Sequence, residues 1–244
     1  MPPLTAMIGV VAALPQEVSS LAGQLPPGGS ASLGTRAFVQ LSGMGQNNAR
    51  RAALALADAG ATSLLSWGSA GGISPALVTG ALLLPLKVRN AGADIFTATP
   101  AWHQHLHAQL ADTFTVHTGD LLEVDHVIAT THAKQRLFCS TGALAIDMES
   151  ASIAQVAAQR GLGFAVLRVV LDTAQRTLPH SALVALDQAG HLQLGHLLRA
   201  LLKRPRDMVG LLQLRADLRL TQDRLGHAAQ LTGLISAFPR VVNA

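Results

Sequence analysis

The stretch Phe164 to Leu171 reads Phe-Ala-Val-Leu-Arg-Val-Val-Leu, apolar at both parities except for Arg168, and it ends on Asp172. A strand with one wet face alternates apolar and polar residues, whereas a run like this one must be covered on both faces. Met7 to Ala13 is a second such run, and Ala37 to Leu41 and Ser63 to Trp67 read as further strands. Helical segments separate them. Pro15 suits a first helical position with Glu17 in the first turn, an Ala-rich helix spans about Asn47 to Asp58, and Met148 to Arg160 reads as another. Leu82 to Val88, Thr113 to His117 and Val124 to Thr130 are expected strands, and from Ser181 the pattern is helical almost to the end. Strand–helix alternation around doubly covered strands predicts an α/β protein, a three-layer α/β/α arrangement with a central mixed sheet. The loop Pro26-Pro27-Gly28-Gly29 does not divide it, so residues 1–244 are expected to form one domain, with 199–244 as a basic helical C-terminal extension.

Composition narrows the function. Hydrophobic residues make up 49% and charged residues 13% of the 244, enough for a large core and too apolar for disorder. The net charge of +4 is uneven: from Arg199 onward eight Lys/Arg face three Asp/Glu, while the preceding chain has ten against eleven. With aromatic residues at 3% and no Tyr, stacking platforms for single strands are lacking, and no nucleic-acid partner is expected. No run is long enough to span a membrane, and the N-terminus lacks the basic cluster of a secretory signal, so a cytoplasmic location is expected. Cys139, the single cysteine, reads as a small buried hydrophobe.

In α/β sheets ligands collect at the carboxyl ends of strands. Four such ends carry polar or glycine-rich sequence: Pro15-Gln16-Glu17, Ser42-Gly43-Met44-Gly45, Gly68-Ser69-Ala70-Gly71-Gly72 and Asp172. Gly43-Met44-Gly45 is not a dinucleotide fingerprint, because Asn48 stands where its third glycine would be. Ser69 directly follows its glycine, unlike the serine of a nucleophile elbow. His103, His105 and His107 lie on a predicted helix, where alternate residues do not share a face, so no metal site is expected there.

These residues also carry a resemblance. Gly9-Val10-Val11-Ala12-Ala13-Leu14-Pro15-Gln16-Glu17-Val18, the two glycine segments, Ala145-Ile146-Asp147-Met148-Glu149-Ser150-Ala151 and Arg168-Val169-Val170-Leu171-Asp172 resemble the purine nucleoside phosphorylase and methylthioadenosine/S-adenosylhomocysteine nucleosidase superfamily, from about Met7 to Ala174. Leu201-Leu202-Lys203-Arg204-Pro205-Arg206-Asp207 and the Leu/Arg-rich segment after it resemble the hopanoid-associated members, thought to release adenine from adenosylhopane.

The resemblance implies cleavage of a purine N-glycosidic bond without a cofactor. Asp172 would protonate N7 as general acid, and Glu17 would deprotonate the attacking water, with Ser69 and Arg168 completing its network. Glu149 would hold the ribose hydroxyls, Met148 would pack on the sugar, Ala70 and Gly71 would contact substrate, and Val127 and Ile128 would line the base pocket. A homodimer and a lipid-linked nucleoside are implied; the helical stripe of Leu211, Leu214, Leu218 and Leu225 near Arg206, Arg219 and Arg224 reads either as a contact with the inner membrane or as a helix packed on the body with a solvated basic face. The chain departs from the family pattern at Leu171, where serine is usual, and at Trp67, Asp147 and the 85–117 segment. Hexameric phosphorylases carry an arginine where Ser66 stands, which favours water as acceptor, although Arg50 and Arg51 leave phosphorolysis open. A silent nucleoside-binding protein remains the alternative outside enzymes.

Overall fold

The computed structural model describes residues 7–92, 94–185, 204 and 206–234. β1 (Ile8–Ala12) lies between β3 (Ala37–Leu41) and β4 (Ser63–Gly72), parallel to both, with Val10 level with Val39 and Leu65. β11 (Gly163–Asp172) pairs in parallel with the other edge of β4, and β2 (Ser30–Leu33) lies antiparallel outside β3. Past Trp67 β4 outruns β1, and β10 (Ala145–Asp147) takes over that edge in antiparallel pairing, Ile146 opposite Gly71. From β10 the sheet continues through β9 (Leu121–Glu123), β6 (Lys87–Arg89) and β7 (Ile95–Thr97). From β11 it continues through β5 (Leu82–Leu83) and β8 (Val116–His117), giving a forked mixed sheet.

The period of two along β11 divides the core. Ala165, Leu167 and Val169 join one cluster with Val18 and Leu21 of α1 (Pro15–Ala22), Trp102 and Leu106 of α3 (Pro100–Leu110), and Leu225 and Ala228 of a long C-terminal helix, α7 (Asp207–Leu231). Phe164, Val166 and Val170 join a second with Ala49 and Ala53 of α2 (Gln46–Asp58) and Ile153 and Val156 of α5 (Ser150–Arg160). Helices cover both faces of the sheet, so the three-layer expectation holds. Two more helices, α4 (Thr131–Thr141) and α6 (His180–Ala185), stand near the cavity described below.

Several expectations need correction. Gly68 to Gly72 is not a loop after β4 but its continuation, held by β10 on one side and β11 on the other. Val124 to Thr130 is not a strand: β9 stops at Glu123, whose carboxylate accepts hydrogen bonds from the backbone N–H (2.7 Å) and Oγ (3.1 Å) of Ser152. The 82–88 segment divides into β5 and β6 around Pro85, whose ring has no N–H for a ladder. The helix expected from Met148 begins at Ser150. Cys139 is exposed, because α4 buries Lys134 instead.

In α7, Leu225 is fully buried and Leu211, Leu214 and Leu218 are half-buried against the body. Met208, Val209, Leu212 and Leu220 are its exposed apolar residues, and Arg206, Arg219 and Arg224 are exposed. The Arg224 guanidinium lies 5.5 Å from the centre of the Phe114 ring, and Gln222 Nε2 donates to Gln16 O on α1 at 3.3 Å. The rest of the expected extension, 199–203 and 235–244, lies outside the described residues. Among the described residues no helix is long and apolar enough to cross a membrane.

Candidate active site

The fork of the sheet opens a cavity at the carboxyl ends of β1, β4 and β11, and four buried carboxylates line it: Glu17, Asp147, Glu149 and Asp172. Glu17 comes from the first turn of α1, where the missing capping side chain at Leu14 leaves N–H groups to satisfy. Its Oε2 accepts from the N–H groups of Ala13 and Leu14, both at 3.0 Å. Its Oε1 accepts from Ser69 N at 2.8 Å and Ser69 Oγ at 2.7 Å. The approach of α1 to β4 requires a glycine: a Cβ on Gly68 would lie 2.5 Å from Glu17 Cδ and 2.6 Å from Arg168 Nη1.

Glu149 stands at the N-cap position of α5 without a side-chain capping bond, and its Oε1 instead accepts from Gly45 N at 2.9 Å, the residue at the head of α2. Burial pushes the Glu149 carboxyl up to about 7, with Arg168 opposing and Asp147 reinforcing the shift. Arg168 shares the face of Val166 and Val170, toward α5. It is 1% exposed, and its Nη2 meets Asp147 Oδ2 at 2.7 Å, Ser66 Oγ at 2.8 Å, Ser150 Oγ at 3.1 Å and Glu149 Oε2 at 3.7 Å. Its Nη1 reaches Ser69 O at 3.3 Å. Arg168 thus lies behind the cavity wall, tying the Ser69 and Glu149 segments together without itself lining the wall.

Asp172 ends β11 after an irregularity. Val170 pairs with Ala70 and Asp172 with the next residue, Gly71, so Leu171 is extra and the bulge re-aims the strand's last side chain. Burial pushes the Asp172 carboxyl up, opposed by Lys134 and Arg176. Lys134, wholly buried on α4, ion-pairs with Asp172 Oδ2 and donates to Thr173 O at 2.8 Å and Arg176 O at 3.0 Å.

Of the residues singled out from the sequence, Glu17, Ser69, Ala70, Gly71, Val127, Ile128, Met148, Glu149 and Asp172 all line this one cavity, and Arg168 does not. Val127 is 42% exposed, and Leu178, Ala182 of α6 and Leu214 of α7 also line the cavity. Sequence reasoning missed Lys134; the Ser42–Gly45 segment that it did single out supplies the Gly45 N–H to Glu149 and Met44 to the wall. Arg50 bonds Gln155 and Gln159 on α5, and Arg51 bonds Asn48, both away from the cavity. Among the described residues no cluster of His, Cys, Asp or Glu is arranged to hold a metal ion.

The family model described as the phosphorylase superfamily matches residues 7–203, and the chain belongs to that superfamily, as an enzyme of the class. No curated protein sequence matches it. Among solved structures it is similar to the futalosine hydrolase of Helicobacter pylori, with TM-score 0.71 and 15% identity over 94% of this chain and 98% of that one. It is also similar to the 5′-methylthioadenosine/S-adenosylhomocysteine nucleosidase of Neisseria meningitidis (TM-score 0.70, 17% identity, 94% and 99% covered). The S-adenosylhomocysteine nucleosidase of Streptococcus pyogenes gives TM-score 0.69 and 17% identity over 98% and 100%. Identities this low establish a shared fold.

Proposed function

We propose that the protein hydrolyses the N-glycosidic bond of a purine nucleoside, adenine being the base released. The observation that carries this is the convergence of Glu17, Glu149 and Asp172 on one cavity whose described lining contains no Arg or Lys. As the C1′–N9 bond breaks, its electron pair moves into the base, and N7 takes a proton from Asp172. The sugar gains positive charge, which Glu149 favours while binding the ribose hydroxyls. Water attacks C1′ and loses its proton to Glu17, which Ser69 and the Ala13 and Leu14 N–H groups hold in place. Arg168 acts from behind this wall, while Met148, Ala70, Gly71, Val127 and Ile128 supply its contact surface. Phosphate would need a cation at the attacking face. Ser66 is buried against Arg168 and Ser150, and the two arginines of α2 point elsewhere, which supports water over phosphate.

The apolar lining supplied by Val127, Leu178, Ala182 and Leu214 supports an apolar 5′ substituent over a charged one, as in adenosylhopane. We read the protein as a cytoplasmic homodimer of one domain that meets such a substrate at the inner membrane through its basic extension. The deciding experiment is adenine release from a panel of 5′-substituted adenosines, with and without phosphate. Free ribose products and a preference for long apolar 5′ groups are expected. Ribose-1-phosphate would overturn the choice of acceptor, and binding without cleavage would leave a silent nucleoside-binding protein.

A further inference from the structure

A buried ion pair such as the one beneath Asp172 is weak evidence of a stabilising role. A lysine ammonium with no exposed surface incurs a large desolvation cost, and an apolar residue of similar size would avoid it. All three partners of Lys134 belong to the end of β11 and the turn after it: Asp172 Oδ2, Thr173 O and Arg176 O. Lys134 therefore clamps one short segment, and that segment carries the proton donor. Leu171, the neighbour on the chain, offers no polar side chain to do the same. Oδ1 of Asp172 lies on the Gly71 side, toward the cavity-lining end of β4.

We propose that Lys134 is a positioning residue for the acid step: it fixes Oδ2 of Asp172, leaves Oδ1 to face the base, and stabilises the carboxylate formed when the proton leaves. The inference rests on the reading of Asp172 as the proton donor. The balance is simple. The proton passes from Asp172 to N7, the C1′–N9 electron pair passes into the base, and Asp172 becomes a carboxylate beside a cation already in contact with it. Stabilising the product of proton transfer lowers the barrier without any movement of Lys134.

The surroundings isolate the effect. Arg176, on the turn after β11, also faces Asp172, but it is paired with Asp217 of α7. β4 presents the uncharged Gly71, Asp147 at the end of β10 is paired with Arg168, and His126 on the cavity wall is paired with Asp125. Among the described residues Lys134 alone forms an ion pair with Asp172. Removing it leaves burial less opposed, so Asp172 keeps its proton to higher pH.

The test is Lys134→Met across a pH series with a 5′-substituted adenosine that the native enzyme cleaves. The expected result is a kcat lowered roughly tenfold to hundredfold, a KM changed less than about threefold, and an alkaline limb raised by about one to three pH units. An unshifted alkaline limb overturns the proposal, whatever happens to kcat, because a merely structural lysine would lower activity at every pH. Failure of the reading beneath it would look different: native enzyme would cleave no nucleoside, or Asp172→Asn would turn over normally. If Lys134→Met does not fold, the native protein still decides. Its three lysines are Lys87, Lys134 and Lys203, so 15N labelling of lysine gives few side-chain signals. The buried Nζ resonance, assigned by its displacement in Asp172→Asn, should move on binding a C-nucleoside analogue of adenosine, which cannot be cleaved. It should also titrate with the alkaline limb of turnover. A resonance indifferent to both overturns the proposal.

Discussion

Arg168 and Lys134 are both buried cations beside the same cavity, yet they are arranged in opposite ways. Arg168 stands in the middle of β11 and divides one guanidinium among Asp147, Glu149, Ser66, Ser150 and the Ser69 carbonyl, which come from β4, β10 and α5. Lys134 stands on a peripheral helix and gives all its bonds to one strand end. A planar, many-donor group suits the first task, and a compact point charge suits the second. The difference teaches that the two cations should fail differently: loss of Arg168 loosens several segments at once, whereas loss of Lys134 alters one carboxylate.

The largest effect should fall on Asp172, the partner of the dedicated cation. Asp172→Asn keeps the side chain's shape but has no acidic proton to give. Turnover should drop by about 10²–10⁴-fold, with affinity for a C-nucleoside analogue within a few-fold of native. Adenine release near the native rate would remove Asp172 from the acid role.

Arg168→Met tests the other half of the comparison. It leaves Asp147 and Glu149 buried without their cation, a change that costs about 3–5 kcal/mol in comparable buried pairs. A fall in the denaturant midpoint with unchanged slope is expected. A variant as stable as native, with only turnover impaired, would move Arg168 from scaffold to reaction.

How much of this was legible follows from the same pair. Glu17 and Asp172 stand at the ends of apolar runs, where strand termination marks them directly, whereas Glu149 was marked only by the Met-Glu pattern that carries the resemblance. Arg168 was visible because a charge inside Phe164–Leu171 breaks an otherwise apolar strand. Lys134 gave no such signal. Its helix, Thr-His-Ala-Lys-Gln-Arg-Leu-Phe-Cys-Ser-Thr, reads as polar surface, and its partner Asp172 is 38 residues away. The same helix misled on Cys139, since small apolar residues are normally the buried ones and here the lysine is. The strand expected over 124–130 failed for a related reason: a β-branched, apolar segment lines a cavity instead of joining a ladder. The continuation of β4 through its glycines was hidden because they serve close approach, Gly68 to Glu17 and Arg168 and Gly71 to Ile146 and Asp172, a tertiary fact.

A smaller effect is expected at Glu17, which ion-pairs with no cation among the described residues and which four N–H and O–H donors hold. Glu17→Gln keeps the shape but cannot take the water's proton, so turnover should fall by about a hundredfold. Added phosphate should not restore it. Acceleration by phosphate, with ribose-1-phosphate as product, would make the acceptor site phosphorolytic.

The smallest effect is graded, and it separates Glu149 from a second carboxyl with a similar shift. Glu149 is pushed up to about 7 chiefly by burial, and so is Glu123, which ends β9 and accepts from Ser152 of α5 but is not on the cavity. If ionised Glu149 favours the developing sugar cation, kcat/KM should fall about tenfold per pH unit below 7, because protonation removes that charge. Stability should run the other way. A carboxyl raised from 4.5 to about 7 on folding holds its proton more tightly in the native state. Its contribution is therefore present below pH 4.5 and is lost as pH rises toward 7. Over that window these two groups make the protein less stable while Glu149 makes it more active. Glu123→Gln should reduce the pH dependence of unfolding and leave the acid limb of kcat/KM in place. Glu149→Gln should flatten that limb at a much lower rate. An acid limb that follows Glu123 instead would show that protonation acts through the packing of α5, and the charge of Glu149 would then have no part in the profile.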